Sequence, residues 1–409
     1  MQCVVIGITP PATDDGHRTA ERVLDTVHFP GLQWQAGHHF ANDYDNDGAL
    51  TLLLTTFLRE DEETEVTPNE VVEAVQHVLG STHHAELWAT AGAPLPLRPL
   101  EGYESHIVIK RMPHDDNRST SLEKARQAMQ EYGLIVQPQI MSIELVTAFR
   151  QVVEEAIANV ETKLAQYRPS LRIGEDAFQF REIASRNKHR FDLRLDVITD
   201  GTKSTPPAIS LVHRLLKESP FLQAFLCTTM GLDGCDASLE QTDNLLLSDS
   251  LDFDVSVVYS RPGASAQGWH ADGQHLSGAS EAGWNSINDG NKQLALPYAI
   301  CLFVPLIDLV DKKVGYTQFW PGSHAHRKLA GMGPVACVTQ SVWESHGCRA
   351  GDGILYDYRL MHQGMPHSEE SVVELRPIVQ IIFKQKSYVE KANYGSEPIA
   401  GTESTIIMA

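Results

Sequence analysis

Two periods divide this chain. From Ile143 to Leu164 the apolar residues Ile143, Val146, Phe149, Val153, Ile157, Val160 and Leu164 recur at steps of three and four, behind Ser142. That spacing lays one stripe along a helix, and a serine just before it caps the first turn by accepting a free backbone N–H. From residue 250 the period falls to two. In LDFDVSVVYS, Leu251, Phe253, Val255, Val257 and Tyr259 alternate with Asp252, Asp254 and Ser256, which predicts a half-buried strand. YAICLFVPLIDL, GILYDYRLMH and RPIVQIIFK read as further strands between Gly- and Pro-containing turns. A helical front half followed by antiparallel-looking strands predicts an α+β chain whose residues 122–390 form a double-sheet β fold with helical buttresses.

Upstream, residues 1–111 read as a separate small α+β unit. CVVIGI is a strand, Asp15 to Val27 a helix, and LQWQAGHHF and ALTLLLTTFL are strands joined by ANDYDNDG. TPNEVVEAVQHVL is a helix with Thr67 as cap and Pro68 at its first position; HAELWAT and YESHIVIKR supply further strands. The order β-α-β-β-α-β is that of a ferredoxin-like unit. MPHDDNRSTS, residues 112–121, is turn-prone and reads as a linker, and residues 391–409 read as a tail.

Composition narrows the function. The 409 residues carry a formal net charge of −20, which argues against a nucleic-acid groove binder, since that needs a basic face. No stretch approaches the run of apolar residues that a membrane span needs, and MQCVVIGITP lacks the basic start of a signal peptide. The six cysteines, Cys3, Cys227, Cys235, Cys301, Cys337 and Cys348, form no C-x-x-C pair, and Cys301 in its apolar run reads as a buried reduced thiol. A cytoplasmic protein without membrane or nucleic-acid partners is the expectation.

The chemistry concentrates in GASAQGWHADGQHL, where His270 and Asp272 are separated by one residue. Two histidines and one carboxylate form a facial triad that leaves open positions on an octahedral iron(II). The spacing by itself is weak, because 18 histidines should produce one such pair by chance. A second does occur, His114 with Asp115 and Asp116, in the polar linker, where it reads as exposed turn chemistry. Further down the chain His362 ends GILYDYRLMH, and Arg376 opens RPIVQIIFK. A histidine on one strand with an arginine opening its neighbour suits a dicarboxylate, one end on the metal and the other on the planar guanidinium fork. On its own, Arg376 reads as a surface arginine before a proline.

Together these stretches carry a family resemblance. SRPGASAQGWHADG, GYTQFWPGSH and YDYRLMHQGMPHSEESVVELRP resemble, in order, the motifs of the phytanoyl-CoA dioxygenase (PhyH-like) family, and EYGLIVQPQIMSIE resembles the start of its domain. The resemblance runs from about residue 120 to about residue 388 and leaves out the N-terminal unit, a candidate for protein contact or dimerisation. It implies a double-stranded β-helix (jelly-roll) oxygenase using iron(II), 2-oxoglutarate and O2. It further implies His270, Asp272 and His362 as iron ligands, Arg376 as partner of the distal carboxylate of 2-oxoglutarate, and Gln267 and Thr317 as hydrogen-bonding partners of the co-substrate. Many members have asparagine where His367 stands. Halogenating relatives have a small residue at the position of Asp272, so the aspartate favours hydroxylation or a related oxidation. The expected reaction is hydroxylation of a small organic metabolite at an unactivated carbon, with succinate and CO2 as co-products. Desaturation or ring rearrangement uses the same residues, and a non-catalytic scaffold with a vestigial core is the remaining alternative.

Five other features get plainer readings. His324 in PGSH belongs to a tight turn, His275 to a loop, and Trp269 to a wall beside the metal. NKHRFDLRLD is either a substrate-facing segment or a solvated strand face. Gly273 to Tyr298, long and without periodicity, is either a lid closing Trp284 over the site or a surface insertion.

Overall fold

The computed structural model describes residues 104–109, 118–197, 205–232, 251–273, 286–289, 292–325, 342–386, 388 and 394–400. Within the first hundred residues it describes 2–9, 23, 27, 32–34, 39–43, 49–58, 67–80 and 84–91. The expected Asp15–Val27 helix therefore lies outside the described residues except for Val23 and Val27. His114, Asp115, Asp116, His275 and Trp284 lie outside them as well.

In the N-terminal region five strands form one antiparallel sheet: β1 (Gln2–Thr9), β2 (Leu32–Trp34), β3 (His39–Asp43), β4 (Ala49–Leu58) and β5 (His84–Ala91). The order is β2-β4-β1-β5, with β3 also on β4, so LQWQAGHHF contributes to two short strands rather than one. Between β4 and β5 runs helix α1 (Pro68–Leu79). Its start follows from local chemistry: the Thr67 hydroxyl accepts from Glu70 N, and the Glu70 carboxylate accepts from Thr67 N at 2.7 Å.

YESHIVIKR departs from expectation. Glu104–Ile107 forms a four-residue helix, α2, and among the described residues of the segment only Val108 makes a strand-like bridge, to Val136. Ile107 and Ile109 are buried with the core of the larger region that follows. Tertiary packing overrides the local preference of the β-branched run. Residues 118–121, expected in the linker, are likewise the first residues of helix α3 (Arg118–Tyr132).

The larger region continues with β6 (Leu134–Gln137), α4 (Ile143–Tyr167), β7 (Ile183–Asn187), β8 (Arg190–Arg194), α5 (Pro207–Glu218), α6 (Pro220–Met230) and β9 (Leu251–Ser260). Then come β10 (Ser286–Asp289), β11 (Lys292–Ala295), β12 (Ala299–Pro305), β13 (Thr317–Phe319), β14 (Trp343–Glu344), β15 (Gly353–Asp357), β16 (His362–Gly364) and β17 (Arg376–Gln385). Seven strands in the order β6-β15-β12-β17-β9-β8-β7 make an antiparallel sheet, and β14-β13-β16 make a second, smaller one. β10 and β11 pair as a hairpin inside the segment expected as lid or insertion.

Ser142 caps α4, accepting from Leu145 N, and Val146, Phe149, Val153, Ile157, Val160 and Leu164 are buried. Ile143 is 66% exposed instead, because the first turn projects beyond the core, and Leu145 takes the buried position. Phe191, Leu193, Val255, Val257, Tyr259, Val379 and Ile381 of the large sheet join these helix residues in one apolar cluster. The opposite face of the same strands is polar and also largely closed to solvent: Arg190, Asp192, Ser256, Ser260, Arg376 and Gln380 are all buried. β9 is thus buried on both faces over its second half, rather than half-solvated. NKHRFDLRLD likewise holds no solvated face at Arg190 and Asp192. Cys301 is a free, fully buried thiol, while Cys227 is disulfide-bonded, which no paired spacing in the sequence announces. Among the described residues no helix is long and apolar enough to cross a membrane.

Candidate metal centre

His270 and His362 lie ninety-two residues apart in sequence, yet their backbones bond to each other twice: His270 N to His362 O at 3.0 Å, and His362 N to His270 O at 2.8 Å. This doubly bonded antiparallel pair sets the two side chains on one side, with ring centroids 4.4 Å apart. His362 starts β16 after a turn rather than ending the strand before it. Ser323 fixes that turn: its hydroxyl donates to Trp320 O and accepts from Met361 N at 2.9 Å. Asp272 is anchored from both sides, by the His270 pairing and by Gly273 N donating to Tyr358 O.

The imidazole tautomers follow from the hydrogen bonds. His270 Nδ1 lies 2.8 Å from Gly268 O, and His362 Nδ1 lies 3.0 Å from Leu360 O. A carbonyl only accepts, so each Nδ1 carries the proton and each Nε2 keeps its lone pair for a metal. Both Nε2 atoms face Asp272, at 3.7 Å from Oδ1 for His270 and 3.6 Å from Oδ2 for His362. One ligand atom from each of the three residues lies within 4.8 Å of the others. Desolvation, and then the neighbouring His362 ring, lower His270 below the usual histidine range, which favours the neutral form that binds a metal. Tyr356 donates its hydroxyl to Asp272 Oδ2 at 2.9 Å and so orients the carboxylate. Burial, and then the charge of Asp272, raise the Tyr356 hydroxyl well above its usual range, so it stays a donor. Phe319, Tyr356 and Phe303 wall the His362 ring.

A second feature lies at the open end of β17. Arg376 and Arg190 both pair in register with Ser260, one from each side of β9, so the two guanidiniums share a face. Both are essentially fully buried. Nε and Nη1 of each have no hydrogen-bond partner among the described residues. Burial, and then the nearby Arg190 charge, lower Arg376 well below the usual arginine range, and burial holds Arg190 down to about 10. Two adjacent cations without a facing acid are costly unless an anion joins them. Arg190 does donate Nη2 to Ser265 O and Met365 O, which fixes its head beside the small sheet.

Gln267, Gly364 and Thr317 line up beside the histidine pair. Gln267 N donates to Gly364 O at 2.8 Å, and Gly364 registers with Thr317. Thr317 is buried, with its N–H bonded to Ser345 Oγ. Gly364 is closely approached: a Cβ there would come within 2.4 Å of Gln267 Oε1 and 2.8 Å of Arg190 Nη1, so those side-chain ends would have to shift. Gly315 is as tight, since a Cβ would lie 2.9 Å from Arg376 Nη1. Gln267, Thr317 and both arginines therefore approach one another.

His367, the departure from the family pattern, packs into the turn that follows. Nε2 lies 2.9 Å from Val373 O, and Nδ1 lies 3.2 Å from both O and Oγ of Ser260. Trp269 is buried. His324 is also buried, but against Gly133 and Gln130 O, away from the triad. Arg190 and Tyr356 are the residues sequence reasoning missed. Arg190 lies in NKHRFDLRLD, for which a substrate-facing strand was one of two readings, whereas nothing in GILYD marks Tyr356.

The model of the family described as phytanoyl-CoA dioxygenase (PhyH) matches residues 129–371, more than half of the chain. Among solved structures, the chain is similar to AviO1 from Streptomyces viridochromogenes Tue57, at 16% identity and a TM-score of 0.41, covering 68% of this chain and 98% of that one. It is also similar to HygX from Streptomyces hygroscopicus with nickel and 2-oxoglutarate bound, at 15% identity and a TM-score of 0.39, covering 64% and 86%. A third is SnoK, a non-heme alpha ketoglutarate dependent carbocyclase from nogalamycin biosynthesis, at 18% identity and a TM-score of 0.39, covering 64% and 83%. No curated protein sequence matches the chain. The chain belongs to the phytanoyl-CoA dioxygenase family and is an iron(II)- and 2-oxoglutarate-dependent oxygenase.

Proposed function

We propose that this oxygenase hydroxylates a small organic metabolite at an unactivated carbon, releasing succinate and CO2. The donor set fits iron: two imidazole Nε2 atoms and one carboxylate converge, and the anion-hungry Arg376 fits the far end of a dicarboxylate. Bound there, iron(II) supplies the oxidative decarboxylation of 2-oxoglutarate by O2 and the insertion of one oxygen atom into a substrate carbon–hydrogen bond.

The chain's own residues hold and orient. In this reading His270, Asp272 and His362 are the iron ligands, and Tyr356 keeps Asp272 turned toward both imidazoles. Arg376 takes the distal carboxylate of 2-oxoglutarate through its free Nε and Nη1, with Arg190 as a second guanidinium on the same group. Gln267 and Thr317, one row from His362, hydrogen-bond the co-substrate between those ends. The buried Phe319 and Phe303 keep water from the back of His362.

The observation that carries hydroxylation over halogenation is Asp272, whose two oxygens each face a histidine Nε2. A third protein ligand there leaves no vacant place for a halide. Upstream, the sheet order around β1 supports a ferredoxin-like N-terminal unit, for which protein contact or dimerisation is the proposed role.

The test is succinate release from 2-oxoglutarate by the purified chain with iron(II), O2 and a metabolite library, with mass spectrometry of the consumed compound. A product one oxygen atom heavier supports hydroxylation. A product lacking two hydrogens, or isomeric with the substrate, replaces it with desaturation or rearrangement. Absence of any iron-dependent 2-oxoglutarate binding would remove the co-substrate reading altogether.

A further inference from the structure

The polar face of the large sheet does not end at the co-substrate arginines. From Arg376 along β17, Gln380 stands two inward positions on, and it registers with Ser256 of β9, which registers in turn with Arg194 of β8. Ser256 Oγ donates to Gln380 Oε1 at 3.2 Å. Gln380 and Tyr356 both flank the Cys301 thiol, and Tyr356 is the residue bonded to Asp272. A continuous line of polar groups therefore leads from the metal ligand across the sheet.

At the far side of that line, β7 and β8 add charge. A register shift between Ser185 and Asn187 leaves Arg186 as an extra residue, the kind of bulge that re-aims a side chain. Arg186 Nη2 donates to Asp192 Oδ2 at 2.7 Å, and the Asp272 carboxylate is one of the charges that act on this guanidinium. Tyr394, carried back from the C-terminal segment, donates its hydroxyl to Asp192 and lies under the guanidiniums of Arg186 and Arg194. Arg194 bonds Asp196, and Lys384 at the end of β17 bonds Asp254.

These charges are mutually paired, so the band is close to neutral and calls for no strongly ionic ligand. They are not sealed either. The Arg186 side chain is 20% accessible, Arg194 32% and Asp254 31%, in a region where Asp192 and Gln380 are buried. A guanidinium has five donors, and the pair with Asp192 uses one of those of Arg186, so donors remain for a guest. Val258, Ile378 and Ile382 interleave with the polar positions on the same face and give a carbon skeleton something to rest on. An alkyl chain laid here would strip water from the polar groups and return no hydrogen bond.

We propose that the substrate is a compact molecule bearing several hydroxyl or amino groups, seated on Arg186, Asp192, Arg194, Tyr394, Ser256 and Gln380, and that acyl chains are excluded. This deepens the oxygenase reading above and rests on it. The six residues are specificity-determining. They orient the ring or polyol so that one carbon faces the metal ligands, and the interleaved apolar residues touch its C–H faces.

The experiment is thermal unfolding of the full chain with nickel(II) and 2-oxoglutarate, without turnover, against two probe sets. One set holds monosaccharides, aminosugars and cyclitols; the other holds saturated fatty acids and their coenzyme A thioesters. The expected result is a concentration-dependent rise in Tm from members of the polar set and none from the acyl set. Iron-dependent succinate release should be stimulated by the same members. For the best polar probe, Arg186→Met should weaken binding at least tenfold. Because that change strands Asp192 and the variant risks poor folding, Gln380→Leu, which moves no charge, is the second variant and should weaken binding severalfold. In both variants the Tm rise from nickel and 2-oxoglutarate should persist. Stabilisation by an acyl probe, silence of the whole polar set, or unchanged probe affinity in Gln380→Leu would each overturn the substrate class. Those results would leave the oxygenase reading intact as long as the rise from nickel and 2-oxoglutarate remains; loss of that rise in the unaltered protein would sink both.

Discussion

Phe191 and Leu193 on one face of β8 pack into the helix-covered core, whereas Arg190, Asp192 and Arg194 lie on the other face, in register with Ser260, Val258 and Ser256 of β9. Burial does not separate the two sets, for Phe191 and Arg190 are both 0% exposed. What separates them is what each face meets. Apolar contact stabilises the first without any ligand. Charges on the second are retained at a cost that packing does not return, which supports the proposal that this face receives guests. One strand thus divides stability from chemistry, residue by residue.

The sharpest break in that comparison comes from the ligands. His270→Ala or Asp272→Ala should abolish stoichiometric iron(II) binding and turnover, because two remaining protein ligands rarely hold a catalytic iron. Unfolding of the metal-free protein should barely move. Equilibrium dialysis beside a urea titration checks both halves. Retained iron in either variant would remove that residue from the centre. His114→Ala serves as the control and should leave binding and turnover unchanged.

Phe191→Ala should do the reverse. Phe191 stacks on Tyr259 at 5.1 Å between ring centroids and lies near Phe178, so its loss leaves a cavity under β8. The expected cost is about 3–5 kcal/mol of unfolding free energy. The fraction that remains folded should bind iron as before. A small change in stability with a large change in iron affinity would mean that the two faces are not separable.

Arg376→Ala acts on the co-substrate alone. Removing a charge-assisted carboxylate partner should cost about 1.5–3 kcal/mol, which raises the KM for 2-oxoglutarate roughly 10- to 150-fold with iron retained. Unchanged 2-oxoglutarate affinity would take Arg376 out of the site.

How much of this was legible beforehand depended on whether a neighbour decides the outcome. Ser142 and the three-and-four spacing after it specify α4 by themselves, and Arg376 opens β17 where the alternation of RPIVQIIFK begins. The HxD pair, His362 and Arg376 were visible through their motifs. Their convergence was not, since it depends on the backbone bonds between His270 and His362 across ninety-two residues. RFDLR was the harder case. Strict alternation reports that two faces differ in polarity, and water is only the commonest reason for a polar face. NKHRFDLRLD therefore stayed open between a substrate-facing segment and a solvated face, and the burial of Arg190 and Asp192 removes the second. YESHIVIKR misled for the opposite reason: β-branched residues favour strands, but Ile107 is held by core packing in a short helix.

The smallest expected effect is also the most diagnostic of the two-faced strand. Arg190→Met keeps the length of the side chain and removes its charge. Two opposing terms then act on the metal-free protein. Ser265 O and Met365 O lose a donor, a loss of about 0.5–1.5 kcal/mol for each bond. Against this, a desolvated cation beside Arg376 disappears, and burial without a facing acid already holds that cation down to about 10. The terms nearly cancel, so unfolding free energy should change by no more than about 1 kcal/mol. Binding is not compensated in this way. If the proposed site is right, the distal carboxylate of 2-oxoglutarate loses one of two guanidiniums, and affinity should fall about tenfold, a smaller loss than for Arg376→Ala. Arg190→Lys should recover part of it, because an ammonium restores the charge but not the fork. Calorimetric titration of 2-oxoglutarate into the nickel-loaded variants, with a urea titration of each, separates the outcomes. A destabilised Arg190→Met that binds 2-oxoglutarate normally would make Arg190 a strut for the Ser265 and Met365 loops and nothing more.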